Sequence, residues 1–320
     1  MSGRVSLLGG LLALQLVIIA VVLFTESGLA DRDEGSFLAF EVSAVDEIEI
    51  TGADEDEKRS VVLTRDEEGW RLPDGLPADS DKVNDVLETL SGLRAPWPVA
   101  TSGSAAGRFE VTADGFQRHL VLRAEGEAVA DLYLGTSPGY QQVHARRADD
   151  DAVYGIELSN YQVPAGTDEW LDKTLLQPRG EVAVVERADA WRLERGEQGW
   201  QVGGAAADQQ AAADLVQGLS ELRVTGAAEA PAADVEPDAV LRVTDGEGTY
   251  RLTFLADEDG NRYRVRSERR DGWFRLAGYA AERLLLEEQA LLPGKQEAEG
   301  AEAPPAEDAP AEPPAAESSG

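Results

Sequence analysis

Residues 70–94 read WRLPDGLPADSDKVNDVLETLSGLR, and residues 200–223 read WQVGGAAADQQAAADLVQGLSELR. Ala78-Asp79 matches Ala207-Asp208, and Leu90-Ser91 with Leu93-Arg94 matches Leu219-Ser220 with Leu222-Arg223, all at one offset. Each copy reads as a strand ending in tryptophan, a polar turn and an amphipathic helix. Val83, Val86, Leu87, Leu90 and Leu93 fall at i, i+3, i+4, i+7 and i+10, and Ala212, Leu215, Val216, Leu219 and Leu222 repeat those spacings. That is one apolar stripe at the helical period, with charges and amides on the other side. Asp79 and Asp208 stand where an N-cap carboxylate can accept from the free N–H groups of the first turn. The fold expected is α+β: two tandem duplicated units of antiparallel strands with a packed helix, after an N-terminal transmembrane helix.

Outward from the helices, Val45–Ile50 (VDEIEI) alternates apolar and acidic residues as a half-exposed strand does, and Val61–Thr64 reads as a second strand. Short strands are expected at 119–123, 130–134, 141–146 and 152–156. The second copy repeats them. Glu125-Gly126-Glu127 matches Asp245-Gly246-Glu247, Leu132-Tyr133-Leu134 matches Leu252-Thr253-Phe254, and Arg146 matches Arg266. Asp151, Val153 and Tyr154 likewise match Asp271, Trp273 and Phe274. Closing helices are expected over 168–176 and 280–292. Trp70 and Trp200, at equivalent places, are each expected to be buried between strand and helix.

The organisation expected along the 320 residues is a cytoplasmic stub (1–4), a transmembrane anchor (5–24), a connector (25–44), a first α+β unit (45–179), a second (180–293) and a disordered acidic Ala/Glu/Pro tail (294–320). The boundary between units falls near Pro178-Arg179-Gly180. About twenty apolar residues suffice to cross a hydrocarbon core of about 30 Å. Arg4 precedes the apolar run, while Glu26, Asp31, Asp33 and Glu34 follow it, so the basic end stays inside. The expected location is the inner membrane, single-pass, with the body in the periplasm or outside the cell.

The formal charge of -32 argues against nonspecific association with nucleic acid, whose phosphates would be repelled. There is no cysteine, hence no disulfide framework, thiol nucleophile or lipid-anchor cysteine.

The W…AD…LxxL units, strands ending in Leu132-Tyr133-Leu134-Gly135 and Val153-Tyr154-Gly155-Ile156, and the segment Glu169-Trp170-Leu171-Asp172-Lys173-Thr174-Leu175-Leu176 together resemble the domain-of-unknown-function 4340 family of bacterial envelope proteins. The resemblance runs over roughly 45–292 and is weaker in the second copy, where Glu169–Lys173 has no close counterpart. It implies an extracytoplasmic α+β protein whose genes often lie beside an ABC-type transport system related to gliding-motility components. It brings no catalytic residues with it.

The residues themselves offer little chemistry. His119 and His144 sit in strands without a second His or Cys at ligand spacing, and zinc sites need three or four convergent donors. Gly135-Thr136-Ser137-Pro138-Gly139 has the letters of a nucleophile elbow, but a strand rather than a helix follows, so a turn is expected. Gly246-Glu247-Gly248 reads as a hairpin turn rather than a phosphate loop. The acidic stretches at 54–57 and 149–151 lack calcium-loop spacing. No catalytic residue, metal site or cofactor is expected.

The one unusual charge pattern is Asn261–Ser267, where Arg262, Arg264 and Arg266 alternate with Tyr263 and Val265. A period of two puts three guanidinium groups on one face. In so acidic a chain, either neighbouring carboxylates answer that row or it docks an acidic partner. The function expected is a noncatalytic, membrane-anchored extracytoplasmic protein, an accessory or interaction subunit working with membrane subunits of an ABC-type transport or gliding-motility-like system. A binding module for an envelope polymer or other extracellular ligand is the alternative. An enzyme acting on envelope polymers is the third and least supported.

Overall fold

The structure is a computed structural model and describes residues 35–54, 57–94 and 97–293. The expected stub at 1–4, the anchor at 5–24, the first half of the connector (25–34) and the tail at 294–320 lie outside these residues. Among the described residues no helix is long and apolar enough to cross a membrane.

The alternating stretch at residues 45–50 becomes the centre of the first sheet. In chain order the first half holds β1 (Glu47–Asp54), β2 (Glu57–Asp66), β3 (Gly69–Arg71), α1 (Ser80–Gly92), α2 (Gly103–Ala106), β4 (Val111–Thr112), β5 (Gly115–Phe116), β6 (Arg118–Ala124), β7 (Glu127–Leu134), β8 (Val143–Arg147) and β9 (Tyr154–Ile156). The second half holds β10 (Val184–Arg187), β11 (Trp191–Gly196), β12 (Gly199–Val202), β13 (Ala205–Ala206), α3 (Gln209–Ser220), β14 (Gly226–Ala228), β15 (Ala239–Asp245), β16 (Gly248–Ala256), β17 (Arg262–Ser267), β18 (Trp273–Ala277), α4 (Gly278–Glu282) and α5 (Glu288–Leu291). The first sheet runs β3-β2-β1-β6-β7-β8-β9, and the second contains the run β12-β11-β10-β15-β16-β17-β18. Element for element these are the same order, with β13 and β14 added at the edges of the second sheet. The protein is thus built mostly of antiparallel sheets with a few helices.

Both helices begin as the caps dictate. Asp79 accepts from the Lys82 N–H at 3.1 Å, and Asp208 accepts from Gln210 and Ala211 at 2.9 and 3.0 Å. Both then turn their stripes inward: Val83, Val86, Leu87 and Leu90 of α1, and Ala212, Leu215 and Leu219 of α3, are buried. Each such Leu or Val contributes about 1.5–3 kcal/mol when taken from water. One hydrophobic cluster runs through both sheets, from Ile48 and Leu120 to Leu241 and Phe254.

Three expectations are corrected. Residues 168–176 form turns, not a helix. Leu171 bridges to Ala78, and the Trp170 carbonyl accepts from Asp79 N–H at 2.8 Å. In the second half the Leu291 carbonyl accepts from Asp208 N–H at 2.8 Å, so the Trp170 segment has a counterpart in position though not in letters. Residues 280–292 do not form one helix. They carry α4 and α5 around a break in which the Leu286 carbonyl accepts from Trp191 Nε1 at 2.7 Å and Arg187 Nη1 at 3.0 Å. Side chains there take carbonyl capacity that a continuous helix would use internally.

The third correction concerns register. The β6–β7 hairpin turns on Glu125-Gly126 and the β15–β16 hairpin on Gly246-Glu247, one residue away from the match of letters. Leu122 pairs with Ala130 but Arg123 with Ala128, leaving Val129 as a bulge. That extra residue restores the offset by Leu132 and Leu252, because a bulge sets two residues against one.

Trp70 is 2% exposed, its N–H donates to Ser80 Oγ at 3.1 Å, and the Arg65 guanidinium lies over its ring. Trp200 repeats this design: its N–H donates to Gln209 Oε1 at 2.8 Å and Arg195 lies over it. Trp200, however, is only half-buried. The more deeply buried tryptophans of the second half are Trp191, 5% exposed, and Trp273, 9% exposed.

Candidate interaction face and inter-sheet cleft

β17 places Arg262, Arg264 and Arg266 on one face, while Val265 and Ser267 are buried on the other. Directly paired residues share a face, so Arg264 stands between Leu255 of β16 and Arg275 of β18, and Arg266 beside Thr253. Asp257 answers two of the three, lying 3.4 Å from Arg262 Nε and 4.0 Å from Arg264 Nε. The second distance is too long for a hydrogen bond, and Arg264 Nε is buried without one. Arg266 makes a different contact, over the Trp273 ring at 5.1 Å. Neighbouring arginines on this face are held by carboxylates: Arg242 by Glu186 at 2.6 Å, Arg275 by Asp168 and Arg251 by Glu268. The hydrogen bond from Arg251 pulls the Glu268 carboxyl below its ordinary range.

Beside Arg266 a groove of about 460 Å³ runs under the segment 230–237, with Val240, Leu255 and Trp273 among its walls. Leu255 is 3% exposed although it lies on the polar side of its strand. Sequence reading passed over this apolar floor, yet the pair Phe254-Leu255 carries the signal, because alternation cannot bury both on one face.

The equivalent face of the first sheet is closed. Arg146, the counterpart of Arg266, donates from Nε to the Val111 carbonyl at 2.7 Å and lies over Tyr133 at 4.9 Å. The β4–β5 hairpin packs there against β7 and β8. The segment approaches so closely that a Cβ on Gly135 would meet the Phe109 carbonyl oxygen at 1.9 Å.

A second concavity, about 910 Å³, lies between the two sheets. Its walls include the start of α1, Arg179 of the segment joining the two halves, Arg223 after α3, and Arg269 and Arg270 of the β17–β18 turn. Behind it sits the most elaborate polar group of the molecule. The Asp245 side chain is fully buried against Arg269, which binds it in a two-pronged manner at 2.7 and 2.8 Å. The Arg179 and Glu247 N–H groups also donate to it, at 2.7 and 2.9 Å. The Arg269 hydrogen bonds hold the Asp245 carboxyl far below the usual carboxylate range. The same guanidinium lies 3.9 Å from the centre of the Tyr250 ring, and burial pushes the Tyr250 phenol well up.

The remaining sequence candidates sit in structural contacts. His119 Nε2 is 2.8 Å from Asp131 Oδ1 with Tyr133 stacked on the ring at 4.4 Å, and His144 Nδ1 is 2.9 Å from Thr136 Oγ1. Ser137 lies in a turn, its hydroxyl donating to the Gly139 carbonyl at 2.9 Å. Gly246-Glu247 turns the β15–β16 hairpin. Among the described residues no group of three or more His, Asp or Glu can hold a metal ion.

No curated protein and no solved structure matches the chain. The family model described as "Domain of unknown function (DUF4340)" matches residues 70–239, from Trp70 in β3 through both capped helices to the first residue of β15. This is narrower than the 45–292 over which the motifs resemble that family. It covers more than half of the 320 residues, and the chain therefore belongs to the DUF4340 family.

Proposed function

We propose that this chain is a noncatalytic, extracytoplasmic protein, held at the inner membrane by residues 5–24, that serves as an accessory or interaction subunit of an ABC-type transport or gliding-motility-like envelope system. The observation that supports the reading is the open arginine face of β17. In a chain with 61 acidic and 29 basic side chains, Arg262 stays 69% exposed and Arg266 is exposed with a tryptophan as its neighbour. We read the two sheets as copies of one duplicated unit. The first copy closes the equivalent surface with its β4–β5 insertion, and the second leaves it open beside an apolar groove. Exposed arginines bordering a groove with an apolar floor are a composition met at protein-binding surfaces.

Replacing Arg262, Arg264 and Arg266 by Gln is expected to abolish cross-links to membrane partners in cells. The melting midpoint should barely move, because exposed ion pairs contribute about 0–1 kcal/mol. Unchanged cross-links sink the docking role. The topology has its own check: alkaline phosphatase fused after Gly180 should be active, and an inactive fusion with an active cytoplasmic reporter at the same point overturns it.

A further inference from the structure

We propose that the inter-sheet cleft is a binding site for a small polyanion, with Arg223 and Arg270 as the side chains that hold it. The inference does not depend on the β17 face. A volume of about 910 Å³ falls within the roughly 300–1,000 Å³ of small-molecule sites. Five arginines and five carboxylates line it, so the groups left without a partner decide what could fill it. Three of its arginines are already answered: Arg71 by Asp66 at 2.9 Å, Arg179 by Glu247 at 3.2 Å and Arg269 by buried Asp245 at 2.7 Å. Most of its carboxylates are occupied too. Glu68 pairs with Arg71 and Glu247 with Arg179. Asp79 caps α1, and Asp172 accepts from Thr174 N–H at 2.8 Å and Oγ1 at 2.6 Å. Within the cleft this leaves Arg223 and Arg270, whose guanidinium groups have no ion pair or hydrogen bond among the described residues, against Asp81, the one lining carboxylate that likewise has none among them.

Both arginines rise from fixed backbone. On either side of Arg223, the Leu222 carbonyl accepts from Gln177 Nε2 at 3.1 Å and Val224 N–H donates to the Lys173 carbonyl at 3.0 Å. Arg270 follows Arg269, which Asp245 and Tyr250 immobilise. Two planar, unpaired forks on anchored supports suit phosphate or carboxylate groups. Glu and Asp crowd the rest of the molecule, so the site would favour a compact anion and lose it as salt rises.

The test is calorimetric titration of the full chain in neutral detergent with inorganic pyrophosphate and, separately, with citrate. Saturable binding of either is expected, and the tighter of the two assigns phosphate or carboxylate as the recognised group. The double variant Arg223→Gln/Arg270→Gln should bind at least about tenfold more weakly, since charge-assisted hydrogen bonds are each worth about that factor or more. Its melt should be unchanged, because neither side chain has a partner to lose. Arg242→Gln, which removes an arginine on the opposite face, should bind as the parent does. Absence of saturable binding by the parent, equal binding by the double variant, or an equal loss in Arg242→Gln overturns the proposal.

Discussion

Asp245→Asn is expected to lower the stability of the full chain by about 3–5 kcal/mol, the cost of leaving a buried charge without its partner. The carboxylate uses both oxygens twice: Oδ2 takes Arg179 N–H and Arg269 Nη1 at 2.7 Å each, and Oδ1 takes Glu247 N–H at 2.9 Å and Arg269 Nη2 at 2.8 Å. Asparagine keeps one oxygen and turns an NH₂ toward donors. Because Arg269 is 23% exposed, water can recover part of its loss, which places the value at the lower end of the range. The double variant Asp245→Asn/Arg269→Gln should regain part of the deficit, and a thermal melt on each protein reads it. The same carboxyl has a folded-state pKa depressed below its unfolded value near 4. Its contribution is therefore complete above about pH 4 and drains away as the pH falls below that toward the depressed value. Acid unfolding of the parent should be steeper below pH 4 than that of Asp245→Asn. Equal slopes, or an Asp245→Asn midpoint matching the parent, would show that the pair carries no such weight.

What could be read from the letters was whatever depends on local period. The stripes and caps of α1 and α3 are local, and Asp79 and Asp208 perform the predicted hydrogen bonds. The alternation of residues 262–266 is local too, and the three arginines do share a face. What escaped depends on contacts between distant parts of the chain. The 168–176 segment has helix-favouring residues, yet Trp170 and Leu171 are drawn to the entry of α1, some 90 residues earlier in the chain. The bulge at Val129 follows from pairing register, which a match of Glu-Gly-Glu with Asp-Gly-Glu cannot report. The cleft was invisible for the same reason. Arg223 ends a helix repeat and Arg270 lies in a turn after a row of arginines, so only the topology brings them to one cavity.

The two sheets also differ in how their matched strands are used. Arg146 and Arg266 occupy equivalent places, and both lie over an aromatic ring, Tyr133 or Trp273. In the first sheet the ring and arginine are roofed by β4–β5, and Arg146 is spent on a backbone carbonyl. In the second, the 230–237 segment runs along the groove beside Arg266, and the Arg266 guanidinium has no hydrogen bond among the described residues. One surface is covered and the other is open, on sheets with the same strand order.

The tryptophans of the two matched segments differ in the same way. Trp70→Ala should cost about 3–5 kcal/mol, the usual penalty for truncating a buried aromatic side chain: the ring is 2% exposed, and its Nε1–H donates to Asn84 Oδ1 at 3.3 Å. Trp200→Ala should cost less than Trp70→Ala, since the penalty follows the apolar area withdrawn from water and this residue is only partly buried. The backbone contacts that make the two positions equivalent survive either change, because Ser80 and Gln209 bond the main chain rather than the indole. The deeper anchor of the second sheet is Trp191, 5% exposed, whose Nε1–H donates to the Leu286 carbonyl at 2.7 Å. Trp191→Ala should therefore fall with Trp70→Ala, and it should also loosen the break between α4 and α5. Thermal melts of the three single variants order them directly. A Trp200→Ala midpoint as low as that of Trp70→Ala would mean that position in the repeat, not depth of burial, sets the energy.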